Sequence, residues 1–318
     1  MSANGKFVYN KYMSKVVVVK YISSASPESL TKEQYGQLLS AGLCSLAGKK
    51  DISAAVRALI PAGVVGMKVN CLARKANSTP VKLVEALTQS LTEAGRDDND
   101  IVVWERTSRE LKMAGYPLNA ASSGCRFVGT DANGVGYSDD IYSSGEVNSR
   151  VSRILTDMVD VNINMALLKD HSIAGLSAGL KNMYGAIHNP NKYHDNTCDP
   201  FCADVSMLEP LRSKNRLTII DAVRVQYDGG PGFVSQYIHN YGGLIMATDP
   251  VAADRIGLEL LQLIRHRRKM RPLREVGRKV TYLDTAAKRG LGVADMSVIK
   301  LEVINVDAGG RLSAGELL

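Results

Sequence analysis

Short apolar runs alternate with longer stretches of mixed polarity along most of this chain. Runs of about four to eight apolar residues that are rich in Val and Ile and bounded by turn residues are typical of buried strands. This pattern predicts strands over residues 16–21, 64–70, 101–105, 159–168, 217–223, 243–248 and 299–306.

The stretches between these strands repeat their apolar residues at helical spacing, and several begin with residues that cap helices. Helices are predicted over residues 29–46, 51–59, 79–94, 106–114, 147–158, 203–211, 251–266 and 281–289. Ser29 or Thr31 would cap the first helix, and Thr79 would cap a helix whose first residue is Pro80. Asp249 would cap the helix at 251–266, with Pro250 at its start and Asp254 serving its first turn. Residues 117–145 are rich in Gly, Ser, Asp and Asn, which indicates an irregular excursion between two halves.

The alternation of strand and helix predicts an α/β protein with largely parallel sheets. The 318 residues are enough for two domains or for one large domain. We interpret the chain as two α/β domains, residues 1–146 and 147–318, with a cleft between them.

Composition narrows the class of protein further. No apolar run approaches the ~20 residues that span a bilayer, and the N-terminus lacks the apolar core of a signal peptide. The five cysteines follow no repeating pattern, which argues against a disulfide framework. We therefore expect a cytoplasmic protein without a membrane span, while a leader removed from the natural protein and a homo-oligomer both stay open.

Chemically useful residues are densest just after the predicted strand at 159–168. Small residues separate His171 from Lys181 there, and His188 and His194 follow. Small residues let the backbone approach a bound group, and apolar neighbours can lower the pKa of a lysine. Ligands of α/β proteins bind beyond the carboxyl ends of strands, so we predict a small-molecule site at these residues. The duller interpretation is that each histidine is a core residue with satisfied hydrogen bonds.

Two other motifs have weaker functional interpretations. Ser177 lies in a Gly-x-Ser-x-Gly sequence that Asp221 and His239 follow, but the predicted strand does not run directly into the serine turn as in hydrolases. Cys198 and Cys202, with His194 nearby, could form part of a metal site, although their spacing is not that of a zinc pair.

Two basic segments and the net charge of +7 are both compatible with an anionic partner. The run from Arg265 to Lys279 has no interleaved aromatic residues, so it favours a solvated helix end over a nucleic-acid partner. The helix start at Thr79, beside Arg74 and Lys75, suits a phosphate or carboxylate, or is an ordinary capped helix beside a solvated loop.

Several segments together resemble the family called domain of unknown function 362, or DUF362. They are Lys68-Val69-Asn70, His171 to Gly185, Tyr193-His194, Asp221, Gly229 to Gly232 and Asp249 to Asp254. Many members of this family carry an added ferredoxin module. Because this chain has no CxxCxxC run, we expect no iron–sulfur cluster in it.

The block from His171 to Lys181 also resembles, more distantly, the central motif of the nickel-pincer lactate racemases. In that family the lysine is attached to a pyridinium-derived nickel cofactor, a later histidine binds nickel, and a Thr-Pro loop binds the cofactor phosphate. The resemblance implies His194 as a metal ligand, with His188 as second choice, and leaves the cofactor open between a divalent metal such as nickel and a nickel-pincer nucleotide. Cofactor contacts are assigned to Lys68, Asn70, Arg74, Lys75, Ser78, Thr79, Lys181 and Asn182.

One departure from the racemases concerns the second acid–base histidine of that family. Its place is taken here by the sequence Trp-Glu-Arg-Thr, in which only Glu105 could take a proton. The sequence therefore favours a racemase-like, isomerase-like or oxidoreductase enzyme that moves a proton or hydride next to a carboxylate or carbonyl group. His171 would be its acid–base group, and Lys181 its cofactor anchor or electrostatic clamp. The alternative is a non-catalytic protein that binds a small anion or a metal.

Overall fold

A computed structural model describes residues 13–23, 28–121 and 123–318 of the chain. Its strands are β1 (Ser14–Tyr21), β2 (Val65–Lys68), β3 (Ile101–Glu105), β4 (Arg126–Gly129), β5 (Tyr142–Ser144), β6 (Val147–Ser149), β7 (Val161–His171), β8 (Gly175–Ser177), β9 (Asn215–Gln226), β10 (Ile238–Ala247), β11 (Ile299–Val306) and β12 (Leu312–Ala314). Its α-helices are α1 (Lys32–Ala47), α2 (Ile52–Leu59), α3 (Val81–Glu93), α4 (Ser108–Ala114), α5 (Gly179–Asn182), α6 (Phe201–Met207), α7 (Glu209–Lys214), α8 (Pro250–Arg267) and α9 (Tyr282–Lys288).

Ten of these strands build one large mixed sheet, which confirms the predicted α/β class, and β5 and β6 pair in a separate two-stranded sheet. The order of the large sheet is β12-β11-β1-β10-β9-β7-β2-β3-β4, with β8 paired to β7. The five neighbours from β9 to β4 are parallel, and only β10 separates them from β1 and β11, which run in the same direction. Strands from both sides of residue 146 pair in this sheet, and the predicted domain boundary there stays a prediction.

Helices cover both faces of the sheet and enclose two apolar cores. Side chains of α1, α2 and α3 pack on one face with Met67 and Val103, and we call this the α1–α3 face. Side chains of α6, α8 and α9 pack on the other face with Trp104, and we call this the α8 face. Successive residues of a strand point to opposite faces, so Lys68 lies on the α8 face because Met67 lies on the other.

Local sequence signals explain where several elements begin. Thr31 caps α1, accepting a hydrogen bond from the backbone N–H of Gln34, whose side chain in turn binds the backbone of Thr31. Asp249 caps α8 through the N–H groups of Val251 and Ala252, and Pro250 begins the helix. These two starts were expected from the sequence.

Three expected helices differ from the structure. Residues 147–158 form strand β6 and then a single helical turn, Ile154–Met158. The helix cannot begin earlier because the backbone N–H and carbonyl of Val151 are hydrogen-bonded to Ser138. Residues 203–211 lie in two helices, α6 and α7, because Pro210 cannot continue the first helix and favours a new start.

The third difference is at Thr79, which does not cap α3. Its hydroxyl accepts a hydrogen bond from the N–H of Asn70 at 2.9 Å and donates one to the carbonyl of Met165 at 2.8 Å. Pro80 stands at the cap position, and no side chain caps the helix there. Tertiary hydrogen bonds have therefore taken the side chain that local preference assigned to the helix.

Within the described ranges, no helix is both long enough and apolar enough to cross a membrane.

Candidate functional site

A cavity of about 310 Å³ opens at the carboxyl ends of β2, β3 and β7, on the α8 face. The chain runs from β2 outward to β3 and β4, and then returns to the opposite side of β2 as β7. Crevices at such reversals of strand order are where open α/β sheets bind ligands. The cavity wall includes Lys68, Asn70, Glu105, Arg106, Lys169, His171, Ser177, Lys181, Asn182, Tyr184, His194 and Pro231.

Lys68 and Glu105 form a buried ion pair on one wall of this cavity. The Nζ atom of Lys68 lies 2.6 Å from Oε1 of Glu105, and the two side chains are 1% and 7% exposed. Both carboxylate oxygens have further donors, since Oε1 accepts the N–H of Arg106 and Oε2 accepts the N–H of Cys71. Gly185 packs against this pair so closely that a Cβ atom there would lie 2.9 Å from either partner. Glu105 is thus held as the counter-ion of Lys68, and its predicted role as a proton acceptor stays a prediction.

A chain of amide side chains ties the end of β2 to α5. Asn182 accepts a hydrogen bond from Asn70 at 3.1 Å and donates one to Asn164 at 2.8 Å, and Asn164 donates to the carbonyl of Gly179. Asn182 therefore serves to position the start of the lysine segment. Oδ1 of Asn70 is buried at the cavity without a hydrogen-bond partner, so it can accept a bond from a ligand.

His171 ends β7 and presents one nitrogen to the cavity. Its Nδ1 accepts the backbone N–H groups of Ile173 at 3.1 Å and Ala174 at 3.2 Å. Backbone N–H groups only donate, so Nδ1 carries the lone pair and the ring proton is on Nε2. Burial, and then the positive charge of Lys181, lower the pKa of His171 to about 3. His171 is therefore a neutral hydrogen-bond donor toward the cavity.

His194 has the opposite arrangement. Its Nδ1 lies 3.0 Å from the carbonyl oxygen of Pro190, which accepts only, so the proton is on Nδ1 and Nε2 carries a lone pair. That Nε2 atom is 2.9 Å from Nζ of Lys181. Burial, and then the charge of Lys181, lower the pKa of His194. The two histidines, with ring centres 5.9 Å apart, thus offer a donor and an acceptor to one cavity.

Lys181 is buried between His194 and an aromatic ring. Its Nζ lies 3.5 Å from the centre of the Tyr184 ring, a position that favours an ammonium cation. Burial nevertheless lowers the pKa of Lys181. No carboxylate of the described residues forms an ion pair with it.

The start of α5 fixes where Lys181 lies. Asp254 of α8 accepts the backbone N–H groups of Gly179 at 2.6 Å and Leu180 at 2.9 Å. A Cβ atom on residue 179 would lie 2.8 Å from the Asp254 carboxylate, so only Gly fits there. From the sequence Asp254 seemed to serve only its own helix, because nothing in the sequence shows which distant N–H groups a buried carboxylate will reach.

Lys169 is the third buried lysine of the cavity wall, and sequence reasoning missed it. It is 1% exposed, lines the cavity, and donates a hydrogen bond to the carbonyl of Pro231 at 3.2 Å. Burial lowers its pKa to about 8. The negative charges of Asp170 and Glu105 raise the pKa, and the positive charge of Lys181 lowers it, but burial has the largest effect. The available signal was a lysine at the end of an otherwise apolar run.

Five of the predicted site residues lie outside the cavity wall. Lys75, Ser78 and Thr79 line a different pocket of about 340 Å³ beside α1, α3 and Asp221, on the α1–α3 face. Arg74 is exposed in the same loop, and His188 is exposed and packs edge-on against Tyr137. The predicted site is thus divided, with Lys68, Asn70, Glu105, His171, Lys181, Asn182 and His194 brought together and these five apart.

The weaker motifs find mostly structural roles. Ser177 lies in strand β8 rather than in a sharp turn, and Asp221 lines the other pocket. Within the described ranges no group of three His, Cys, Asp or Glu side chains is arranged to hold a metal ion. In the basic run, Arg265 is 2% exposed and binds the carbonyls of Tyr227 and Arg271.

Comparisons with known proteins show the family of this chain and a solved structure to which it is similar. The family model described as "Domain of unknown function (DUF362)" matches residues 65–259, which is more than half of the chain. No curated protein matches. A crystal structure of a Thermotoga maritima protein, determined by the Northeast Structural Genomics Consortium, is similar with 13% identity and a TM-score of 0.45. The match covers 76% of this chain and 60% of that one.

Proposed function

The chain belongs to the DUF362 family, a family of unknown function, and on that premise we propose that it is an enzyme for a small carboxylate substrate. The substrate carries a carbonyl or hydroxyl group next to its carboxylate. The reaction moves a proton at the carbon that bears the hydroxyl group, or at the carbon next to the carbonyl group. One observation carries the proposal: Lys169 and Lys181, both buried and without a carboxylate partner among the described residues, line one cavity with a histidine donor and a histidine acceptor.

Charge supports an anionic ligand. The other two cations of the wall have acidic partners, since Lys68 pairs with Glu105 and Arg106 pairs with Glu110. The remaining positive charge belongs to Lys169 and Lys181, in a place where water screens it poorly. A carboxylate is the group that such a pair of cations attracts.

The two histidines supply the proton chemistry. The Nε2–H of His171 would donate to the carbonyl or hydroxyl oxygen of the substrate, as a neutral imidazole does in triosephosphate isomerase. The Nε2 lone pair of His194 would accept the proton that leaves carbon once the amine of Lys181, which lies 2.9 Å away, binds the substrate carboxylate instead. Both rings are neutral near pH 7 because their pKa values are lowered.

The nickel-pincer cofactor fits these residues poorly, so no step is assigned to it. The loop that would bind its phosphate, with Lys75, Ser78 and Thr79, lines a pocket on the other face of the sheet. The hydroxyl of Thr79 is already bound to Met165 and Asn70. The likeness to lactate racemases therefore stays a prediction.

Proton exchange measured by NMR tests the proposal directly. The purified chain is incubated in D₂O with pyruvate as the 2-oxo acid and lactate as the 2-hydroxy acid, and loss of the carbon-bound proton signal is followed. We expect exchange with at least one of them, and a rate about 10²-fold lower in His194→Gln. Lys181→Gln should weaken binding measured by calorimetry.

Lys75→Gln is the matched control, because it removes a lysine charge from the pocket on the α1–α3 face. It should leave binding and exchange unchanged. Binding of both acids without exchange would support the non-catalytic alternative, and absence of binding would refute the proposal.

A further inference from the structure

Lys169 differs from the other lysines of the cavity in what surrounds its amine. We propose that it forms a covalent imine with the carbonyl carbon of a 2-oxo acid, which makes this a Schiff-base site. This inference rests on the proposed function, because it requires a carboxylate with a carbonyl group to occupy the cavity.

The contacts of the three lysines separate their roles. Lys68 is bound to Glu105 at 2.6 Å, so its charge is held by a carboxylate. Lys181 contacts Nε2 of His194 and the face of Tyr184, so two groups engage its nitrogen. Within the described ranges, Lys169 makes one polar contact, its hydrogen bond to the carbonyl of Pro231, and at 3.2 Å this bond is longer than those of Lys68 and Lys181. Lys169 is therefore the lysine whose nitrogen is most available to a ligand.

The protonation of Lys169 is compatible with this role. An amine must be neutral to attack a carbonyl carbon, and burial with a neighbouring cation is a known way to lower the pKa of a lysine. Burial lowers the pKa of Lys169 to about 8, and the charge of Lys181 contributes. About half of the amine is therefore neutral near pH 8.

The surroundings hold the Lys169 nitrogen in place. Its acceptor, Pro231, follows Gly230, whose N–H binds the carboxylate of Asp170 at 2.7 Å and whose carbonyl accepts the N–H of Ser172 at 3.1 Å. Arg278 binds the second oxygen of Asp170 at 2.8 Å. This network joins the loop to the end of β7, so the amine is presented from a fixed frame.

The chemical step is balanced without an oxidant or a reductant. The Nζ lone pair forms a bond to the carbonyl carbon, and the carbonyl oxygen leaves as one water that carries the two hydrogens of the amine. The Nε2–H of His171 hydrogen-bonds the departing oxygen. Once protonated, the imine withdraws electrons from the neighbouring carbon, which makes the proton there easier for His194 to remove.

Reductive trapping tests the inference on the wild-type chain. Protein, pyruvate and sodium cyanoborohydride are mixed, the intact mass is measured, and the modified peptide is sequenced by tandem mass spectrometry. We expect one reduced pyruvate adduct on Lys169. The initial trapping rate should rise about tenfold per pH unit below pH 8, following the neutral fraction of the amine.

Lys169→Arg is the informative variant, because arginine keeps the positive charge and cannot form the imine. It should bind pyruvate and give no adduct above that of surface lysines, while Lys75→Arg should be trapped like the wild type. If the adduct forms only on other lysines, or if no adduct forms while proton exchange continues, this inference is wrong and the proposed function still stands. Absence of pyruvate binding would overturn this inference, and absence of both pyruvate and lactate binding would overturn the proposed function as well.

Discussion

At the scale of single residues, the cavity contains two neutral histidines that are held in opposite tautomers. His171 gives its Nδ1 lone pair to backbone N–H groups, and His194 gives its Nδ1 proton to a backbone carbonyl. Each ring is fixed by the main chain, so neither can exchange its role with the other without a local rearrangement. Backbone hydrogen bonds thus determine which ring donates and which accepts.

We predict that ¹⁵N NMR of the histidine rings shows this difference. His171 should appear as the Nε2–H tautomer and should not titrate between pH 5 and 8, because burial lowers its pKa to about 3. His194 should appear as the Nδ1–H tautomer. The His171→Gln variant assigns the signals, and a titration midpoint for His171 inside that range would contradict the assignment.

A second residue-scale prediction concerns Asp221, a residue that is 3% exposed and whose carboxylate accepts the N–H of Val223. Burial raises its pKa to about 7, whereas the unfolded chain ionises near 3.8. Between these values the folded state binds more protons, so the wild type loses stability as pH rises. An asparagine does not titrate. Relative to Asp221→Asn, the wild type should therefore lose up to about 4 kcal/mol of unfolding free energy between pH 4 and pH 8.

Denaturant unfolding at several pH values measures this difference, with exposed Asp284→Asn as control. A difference that stays constant with pH would show that Asp221 is ionised in the folded state throughout.

At the scale of elements, the four-residue helix α5 owes its position to other elements rather than to its own sequence. It is too short to be stable alone, and Asp254 of α8 binds its first two N–H groups. Glycine at position 179 permits that contact. Lys181 is therefore placed by a carboxylate that lies far along the chain.

We predict that Asp254→Asn destabilises the protein by about 1–3 kcal/mol, because an amide offers one acceptor where the carboxylate offers two and leaves a buried N–H unpaired. The variant should also bind pyruvate more weakly than the wild type, since Lys181 would shift. Thermal unfolding and calorimetry measure the two effects. Exposed Asp284→Asn should change neither, and unchanged binding in a destabilised Asp254→Asn would separate Asp254 from the site.

The sequence predicted elements well where local signals were strong. Apolar runs located the central strands, and Thr31 and Asp249 located two helix starts. It failed where tertiary contacts decided the outcome, as at Thr79, whose hydroxyl binds Asn70 and Met165 instead of its helix. Lys169 was missed for a related reason, since sequence spacing shows neither burial nor the absence of a partner.

At the scale of the whole molecule, the sheet joins distant parts of the chain. Strand β7 lies between β2 and β9, and β1 lies between β10 and β11. Strand order also decided which predicted residues meet, because His171, Lys68 and Glu105 end three neighbouring strands. Arg74 and Lys75 follow the same strand as Lys68, but the direction of their loop, which a sequence does not show, separated them from the cavity.

We predict that the chain unfolds in one cooperative transition. Trp104, the only tryptophan, is fully buried and donates a hydrogen bond to Asn162, so its fluorescence reports the centre of the sheet. Because strands on both sides of residue 146 pair with each other, fluorescence and circular dichroism should give the same denaturant midpoint. Two separate midpoints would instead support independent domains.

The place of β1 in the sheet also matters during synthesis. Both of its neighbours come late in the chain, since Val17 pairs with Met246 and Ser14 pairs with Ile299. On the ribosome, β2, β3 and β4 can pair as they emerge, whereas the run of four valines in β1 has no partner until β10 and β11 have been made. Until then the nascent chain exposes an unpaired apolar strand, and that strand is where we expect a chaperone to bind.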